Sequence, residues 1–166
     1  MTSIPEQASV LLTDEQKRIW DTYRQVNLLL EDWLDQQMQR DFGIPHLYYE
    51  LMALLEQAPG HRLRMIELAR SAKITRSRLT HAIARLEKHG WVRRASDPLD
   101  GRGMFAVLTV EGCAVVEQSA PDYATGVRSV IFDLLSPDQV ARMGEIFRII
   151  SDCLHTERGA DLPWLR

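Results

Sequence analysis

Residues 74–94 of the chain, ITRSRLTHAIARLEKHGWVRR, combine a helical repeat of apolar residues with many basic residues. At about 3.6 residues per turn, Leu79, Ile83 and Leu86 share one face of a helix that begins just after Thr75, and we expect that face to be buried. Thr75 is a favourable N-cap, and Gly90 stands where a left-handed residue commonly follows a helix. The spacing therefore predicts a helix with well-defined ends.

The opposite face of this helix has the features of one that enters the major groove of DNA. It alternates small residues with long hydrogen-bond donors, so the helix can approach base edges while Arg, His and Thr donate to bases or phosphates. Arg76 and Arg78 occupy the first turn, where the helix dipole disfavours cations, so we expect an anion to approach there. The alternative is that two arginines on a solvated helix carry no functional meaning.

The flanking residues complete a recognisable motif. Residues 65–69 predict a short apolar helix, and residues 71–74 predict the tight turn of a helix-turn-helix. Downstream, residues 91–95 and 104–108 predict two short strands joined by SDPLDGRG, a stretch rich in Asp, Pro and Gly. Two such strands form a hairpin, or wing.

With these motifs in this order, the chain resembles the winged helix-turn-helix regulators of the MarR type. The resemblance covers nearly the whole chain and implies a mainly α fold with a small β wing, in which long flanking helices form a dimerisation region. The matching motifs are Glu67-Leu68-Ala69, Thr75-x-Ser77-x-x-Thr80, Leu86-Glu87-x-x-Gly90-Trp91-Val92-x-Arg94, Asp97-x-x-Asp100-x-Arg102 and Leu108-Thr109-x-x-Gly112.

Length and composition agree with one small regulator. A chain of 166 residues, 45% of them hydrophobic, is long enough for one domain with a real core. No apolar run approaches the ~18 to 20 residues of a membrane span, and the N-terminus lacks the features of a signal peptide, so we expect a cytoplasmic protein. Cys113 and Cys153 lie far apart with no metal-ligand spacing, so we expect two buried thiols and neither a metal nor a cofactor.

The charge is divided unevenly along the chain. Residues 60–103 hold 11 Lys and Arg against 4 Asp and Glu, whereas all other residues together hold 9 against 19. A formal net charge of -3 therefore conceals a basic segment on an acidic scaffold. The basic segment coincides with the predicted recognition motif, which a merely solvated run of charges does not explain.

The flanking segments predict long helices. Thr13-Asp14-Glu15-Gln16 is a capping box that opens a helix to about Arg40. Residues 46–58 predict a second helix. By the resemblance, residues 61–64 form a short strand that pairs with the wing.

After Thr109 a helix begins, and we expect a kink or a restart at Pro121. Ser136-Pro137-Asp138-Gln139 is a second capping box, from which the last helix runs to about His155. Residues 160–166 form an apolar tail, which makes sense when packed on a second subunit.

The simplest assembly of these parts is a twofold dimer joined through its ends, as the resemblance also implies. We expect a single domain, residues 1–166, with dimerisation helices in 13–45 and 109–166 and a DNA-binding lobe in 46–108. Such a dimer places two recognition helices about 34 Å apart, so the target on double-stranded DNA is expected to be an inverted repeat with half-sites about 10 bp apart.

The candidate DNA contacts divide by role. Base edges are expected to be approached by Ser77, Arg78, Thr80 and His81, and phosphates or flanking bases by Arg76, Arg85 and Lys88. Arg102, at the wing tip, is expected to enter the minor groove, where negative potential is concentrated. By the resemblance, Asp100 ties the wing to a basic residue such as Arg94; simple turn chemistry is the alternative.

The resemblance also implies a cleft between the dimer helices and the DNA-binding lobe, where a small aromatic anion releases many relatives from DNA. An aromatic set with a cation could hold a phenolate or a carboxylate, although aromatic residues at helical spacing are usually core. The candidate pocket residues are Trp20, Tyr23, Arg24, His46, Tyr48 and Tyr49.

Three classes of function are weighed. We expect a dimeric, sequence-specific transcriptional regulator that acts as a repressor. A winged-helix module that binds protein instead of DNA predicts an uncharged or acidic recognition face, and the sequence has a basic one. An enzyme would need a nucleophile with its base, a metal cluster or a phosphate-cradling loop, none of which the sequence shows, so we expect no enzyme.

Overall fold

The computed structural model describes residues 11–96 and 103–158 of the chain, with side chains described as far as residue 154. Predicted and observed elements agree within a few residues. In chain order they are α1 (Asp14–Phe42), α2 (His46–Gln57), β1 (Arg62–Arg64), α3 (Met65–Ser71), α4 (Arg76–Lys88), β2 (Val92–Ser96), β3 (Met104–Leu108), α5 (Val110–Val130) and α6 (Pro137–Arg158).

Both predicted capping boxes are confirmed. The Gln16 amide donates to Thr13 Oγ1 at 3.2 Å, and the Thr13 amide donates to Gln16 Oε1 at 2.9 Å. The same reciprocal pair joins Ser136 and Gln139 at the start of α6. Each box satisfies two amide groups that a helix N-terminus would otherwise leave unpaired.

The three strands form one antiparallel sheet in the order β1-β3-β2. Leu63 and Arg94 both pair with Ala106, and Val92 pairs with Leu108. Leu63, Val92, Ala106 and Leu108 are buried, because side chains alternate between the faces of a strand and these lie on the inner face. The predicted wing is therefore a sheet packed on the helices.

The core lies between this inner face and helices α2, α3 and α4. Its fully buried large side chains include Leu51 and Leu55 of α2, Leu68 of α3, and Leu79 and Ile83 of α4. The apolar face of α4 is thus buried as predicted, and its opposite face points outward.

The termini expose a second set of apolar side chains. On the first half of α1 and along α6, large apolar residues are about half exposed or more, although they follow the helical repeat. They include Ile19, Trp20, Tyr23, Val26, Ile146, Phe147, Ile150 and Leu154.

Helix α5 continues through Pro121 without a restart, because a proline removes only one helical hydrogen bond and the helix packs along α1 and α2. The kink at Pro121 stays a prediction. Cys113 is half-buried, but Cys153 is exposed on α6, so the expectation that both thiols are buried is wrong for Cys153. No helix of the described chain is long and apolar enough to cross a membrane.

Candidate nucleic-acid interface

Helix α4 presents all of its predicted contact residues to solvent. Thr75 caps it as expected, accepting a hydrogen bond from the Arg78 amide at 3.2 Å. Leu79, Ile83 and Leu86 anchor the opposite side in the core. The exposed residues are Arg76, Ser77, Arg78, Thr80, His81, Arg85 and Lys88.

The only carboxylate of α4 is turned away from this face. Glu87 Oε1 accepts a hydrogen bond from the Arg94 amide at 3.0 Å, and Glu87 Oε2 lies 3.5 Å from Arg94 Nε. Arg94 in turn donates from Nη2 to the Thr80 carbonyl at 3.1 Å. Glu87 and Arg94 therefore tie β2 to α4, and the exposed face of α4 keeps its cations, its hydroxyls and the His81 imidazole without a carboxylate.

The sequence reasoning missed Glu87 as a partner of Arg94. Glu87 is the only acidic residue between Ile74 and Arg94, and that isolated charge is the signal in the sequence for an ion pair with Arg94. Asp100 and Arg102 lie outside the described residues, so the Asp100–Arg94 tie and the Arg102 contact remain predictions.

A cavity of about 780 Å³ is lined by residues of α1, α2 and α5 and of the helix-turn-helix. Of the predicted pocket residues it contains His46 and Tyr49; the missed residues include Glu31, Asp35, Glu50 and Tyr123. Trp20, Tyr23 and Arg24 lie instead on the exposed first half of α1, and Tyr48 lines a separate groove beside α4. The cavity lining is Glu31, Asp35, His46, Leu47, Tyr49, Glu50, Ala53, Leu54, Gln57, Ser71, Ala72, Lys73, Ile74, Arg78 and Tyr123.

His46 organises the inner wall of the cavity. It is 4% exposed, its amide donates to Asp35 Oδ1 at 2.8 Å, and its Nδ1 lies 3.4 Å from Glu31 Oε2. Its Nε2 lies 3.4 Å from the Tyr123 hydroxyl, and the Tyr123 ring is 4.6 Å from that of Tyr49. Hydrogen bonds and ring contacts thus join α1, α2 and α5 at this wall.

Burial and charge shift two titrations in the cavity. Burial, with added repulsion from the Glu50 charge, raises the pKa of Tyr123 to about 12, so its hydroxyl stays protonated at neutral pH. Burial also raises the pKa of Glu50, while the charges of His46 and Arg78 pull it back. Arg78 lines the cavity and is also exposed on α4.

The described residues hold no group of three or more potential metal ligands among His, Cys, Asp and Glu. The exposed face of α4 offers cations that suit an anionic partner. The cavity combines cations with the rings of Tyr49 and Tyr123, which suit a charged or aromatic molecule.

Comparisons with known proteins agree on one family. The model of the MarR family matches residues 45–104. The structure of Sco3205, a MarR family transcriptional regulator from Streptomyces coelicolor in complex with DNA, superposes with a TM-score of 0.82 at 52% identity, covering 97% of this chain and 100% of that one. AbsC, from the same organism, superposes with a TM-score of 0.79 at 34% identity, covering 89% and 99%.

A sequence relative points the same way. The chain is 28% identical over 112 residues to YetL, an HTH-type transcriptional repressor of Bacillus subtilis (strain 168). That match covers 66% of this chain and 67% of YetL.

Proposed function

The chain belongs to the MarR family of transcriptional regulators, and we propose that it is a dimeric repressor that binds an inverted repeat in double-stranded DNA. The observation that carries the proposal is the exposed face of α4, where seven donors are presented and the single carboxylate is withdrawn. The DNA-bound state of Sco3205 and the repressor name of YetL support it. The matched relatives are transcriptional regulators, which confirms that no enzyme is to be expected.

Each exposed side chain of α4 is assigned to a base or a phosphate from its position on the helix. The Thr80 hydroxyl already donates to the Arg76 carbonyl at 2.8 Å, so toward a base it offers its lone pairs, which suit the amino groups of adenine or cytosine. Arg78 suits the acceptor pair of guanine. Base edges are assigned to Ser77, Arg78, Thr80 and His81, phosphates to Arg76, Arg85 and Lys88, and the minor groove to Arg102.

Dimerisation is proposed from the exposed apolar faces of α1 and α6. Large contiguous apolar patches on a protein surface commonly mark an interface, and these two helices flank the DNA-binding lobe in the sequence. A twofold axis through them would place the two α4 helices about one turn of B-DNA apart.

Selection of bound sequences from a random duplex pool tests the proposal. We expect an inverted repeat with half-sites about 10 bp apart, and an affinity for the selected site that falls steeply with salt. Recovery of no preferred sequence would reject specific DNA binding and leave the protein-interaction module as the better account.

Two substitutions in α4 separate base recognition from phosphate binding. We expect Arg78→Ala to cost about 1 to 3 kcal/mol and to relax the preference at one half-site position, because a base contact is lost. We expect Lys88→Ala to weaken all sequences about equally and to lower the salt slope by about one per half-site, because one phosphate contact is lost in each. Binding titrations on the selected site and its point variants check both; unchanged base preference in Arg78→Ala would remove Arg78 from the base contacts.

The cavity is proposed as the effector site, and a small aromatic anion as the effector that releases DNA. Lys73 and Arg78 at its exposed rim could pair with the anion, and the rings of Tyr49 and Tyr123 inside it could contact an aromatic ring. Because Arg78 belongs to both sites, an effector that draws it into the cavity would take it from DNA.

Glu50 provides a test of this coupling without a ligand. Its carboxylate attracts Arg78 toward the cavity, so we expect Glu50→Gln to raise operator affinity about two- to fivefold, the range of partly exposed ion pairs. Since burial raises the pKa of Glu50, wild-type affinity should rise toward that of Glu50→Gln as the pH falls through this pKa.

Glu56→Gln is the matched control, because Glu56 lies on the same helix but does not line the cavity with Arg78. Titrations of all three proteins from pH 7.5 to about 5 separate local from long-range charge effects. Equal gains for Glu50→Gln and Glu56→Gln would show only a general effect of net charge.

A further inference from the structure

Helix α2 forms one wall of a groove beside the exposed face of α4. A groove of about 580 Å³ runs between the two helices, and Tyr48 of α2 forms part of its wall. Consecutive helical residues point about 100° apart, so Tyr48 faces this groove while its neighbour Tyr49 faces the cavity on the other side. The groove is lined by Leu47, Tyr48, Arg78, His81, Ala82, Ala84, Arg85 and Lys88.

The chemistry of this groove matches a phosphodiester chain. Its lining includes three permanent cations, one histidine and one phenol, and none of the residues that form it is acidic. Ala82 and Ala84 are small, which lets a bulky backbone approach. Phosphate is commonly held by such a mixture of guanidinium, ammonium and hydroxyl donors.

Tyr48 lies in the first turn of α2 and faces the groove. The acidic groups near the start of α2 lie on its other side: Asp35 accepts the His46 amide at 2.8 Å, and Asp35 and Glu31 line the cavity and not the groove. In the described part of the chain, the Tyr48 hydroxyl has no hydrogen-bond partner.

We propose that Tyr48 is a DNA-contacting residue whose hydroxyl donates to a backbone phosphate of the half-site that α4 recognises. Helix α2 and the cations of α4 then hold the same strand from two sides of the groove, and α4 is fixed in register on the duplex. The inference rests on the proposed DNA-binding function. It moves Tyr48 from the effector pocket, where the sequence placed it, to the DNA interface.

Tyr48→Phe tests the contact, since it removes the hydroxyl and keeps the ring. We expect operator affinity to fall about tenfold per half-site, the effect of losing a hydrogen bond to a charged acceptor. We also expect a proportionate loss on unrelated duplexes and an unchanged salt slope, because the donor is neutral. Thr125→Val, which removes an exposed hydroxyl of α5 outside the groove, is the control and should bind like the wild type.

A methylphosphonate scan locates the phosphate. Operators are made in which one phosphate position at a time is replaced by the neutral methylphosphonate in both half-sites, and wild type and Tyr48→Phe are titrated on each. We expect one position at which the two proteins bind equally, because the contact is already lost there. A deficit of Tyr48→Phe that persists at every position would instead assign Tyr48 a structural role and overturn the inference.

The same titrations separate this inference from the function on which it rests. If the wild type binds its selected operator and Tyr48→Phe binds as tightly, the inference fails and the regulator stands. If the wild type shows no preference for any duplex, both fail.

Discussion

Replacing Phe147 with aspartate is expected to convert the protein into a monomer and to lower its affinity for an inverted-repeat operator at least about 100-fold. Phe147 lies on the apolar stripe of α6 and is 51% exposed, and its neighbour on the stripe, Ile150, is 50% exposed. In a twofold interface each substitution occurs twice, so two carboxylates would be buried without partners.

The large loss of operator affinity follows from the linkage of the two half-sites. A dimer that has bound one half-site presents its second α4 at a high effective concentration, which raises avidity by about 10² to 10⁴ over one module. A monomer loses that gain although its α4 is intact. Sedimentation velocity gives the oligomeric state, and titrations on whole and half operators give the two affinities.

Ala141→Asp is the control, because it places one carboxylate on the opposite, exposed side of the same helix. It should remain a dimer and bind like the wild type. A Phe147→Asp protein that stays dimeric with normal operator affinity would move the interface elsewhere, and circular dichroism would confirm that the helices are retained in both variants.

Gly112→Ala is expected to destabilise the fold by about 2 to 4 kcal/mol, more than a typical surface change. A Cβ at Gly112 would overlap the carbonyl oxygen of Trp91 and lie 2.7 Å from Leu108 Cδ1. The Trp91 carbonyl also accepts the Thr109 amide at 3.0 Å, so it cannot move away without breaking the junction of the wing and α5.

Val110→Ala is the control that tests whether the loss of stability in Gly112→Ala comes from the close approach of Gly112 to the Trp91 carbonyl. Val110 lies in the same helical turn but is 83% exposed, so its truncation should change the unfolding free energy by less than about 0.5 kcal/mol. Urea unfolding, followed by circular dichroism, measures both. Equal stabilities for Gly112→Ala and the wild type would mean that α5 can shift on the sheet at little cost.

The local elements were predictable because their causes lie within a few residues. The buried face of α4 follows from the spacing of Leu79, Ile83 and Leu86, and its start follows from Thr75. The capping boxes at Thr13 and Ser136 are reciprocal contacts across three residues, and both were identified from the sequence. Helical periodicity and capping depend on residues close together in the chain, so they can be predicted without knowing the fold.

Of the candidate sites, the sequence predicted the exposed face of α4 correctly, because all of its residues lie on one helix. All seven α4 donors are exposed as expected. An amphipathic helix buries its apolar face in the core, and this leaves the opposite, polar face in solvent. The predicted pocket set was divided instead: His46 and Tyr49 entered the cavity, Tyr48 faced α4, and Trp20 lay on an exposed face. Sequence order could place these residues on α1 and α2 but not orient those helices toward each other.

By itself, the sequence determined the helices and strands, their ends, the exposed basic face of α4 and the family, because each depends on residues that are close neighbours along the chain. Only the tertiary structure decided the partners across elements. It paired Glu87 with Arg94, gathered Glu31, Asp35, Glu50 and Tyr123 around His46, and gave Arg78 a place in both the cavity and the exposed face of α4. These contacts depend on how α1, α2 and α5 pack against one another. That packing is determined jointly by many side chains that are far apart in the sequence, so no short sequence pattern predicts it.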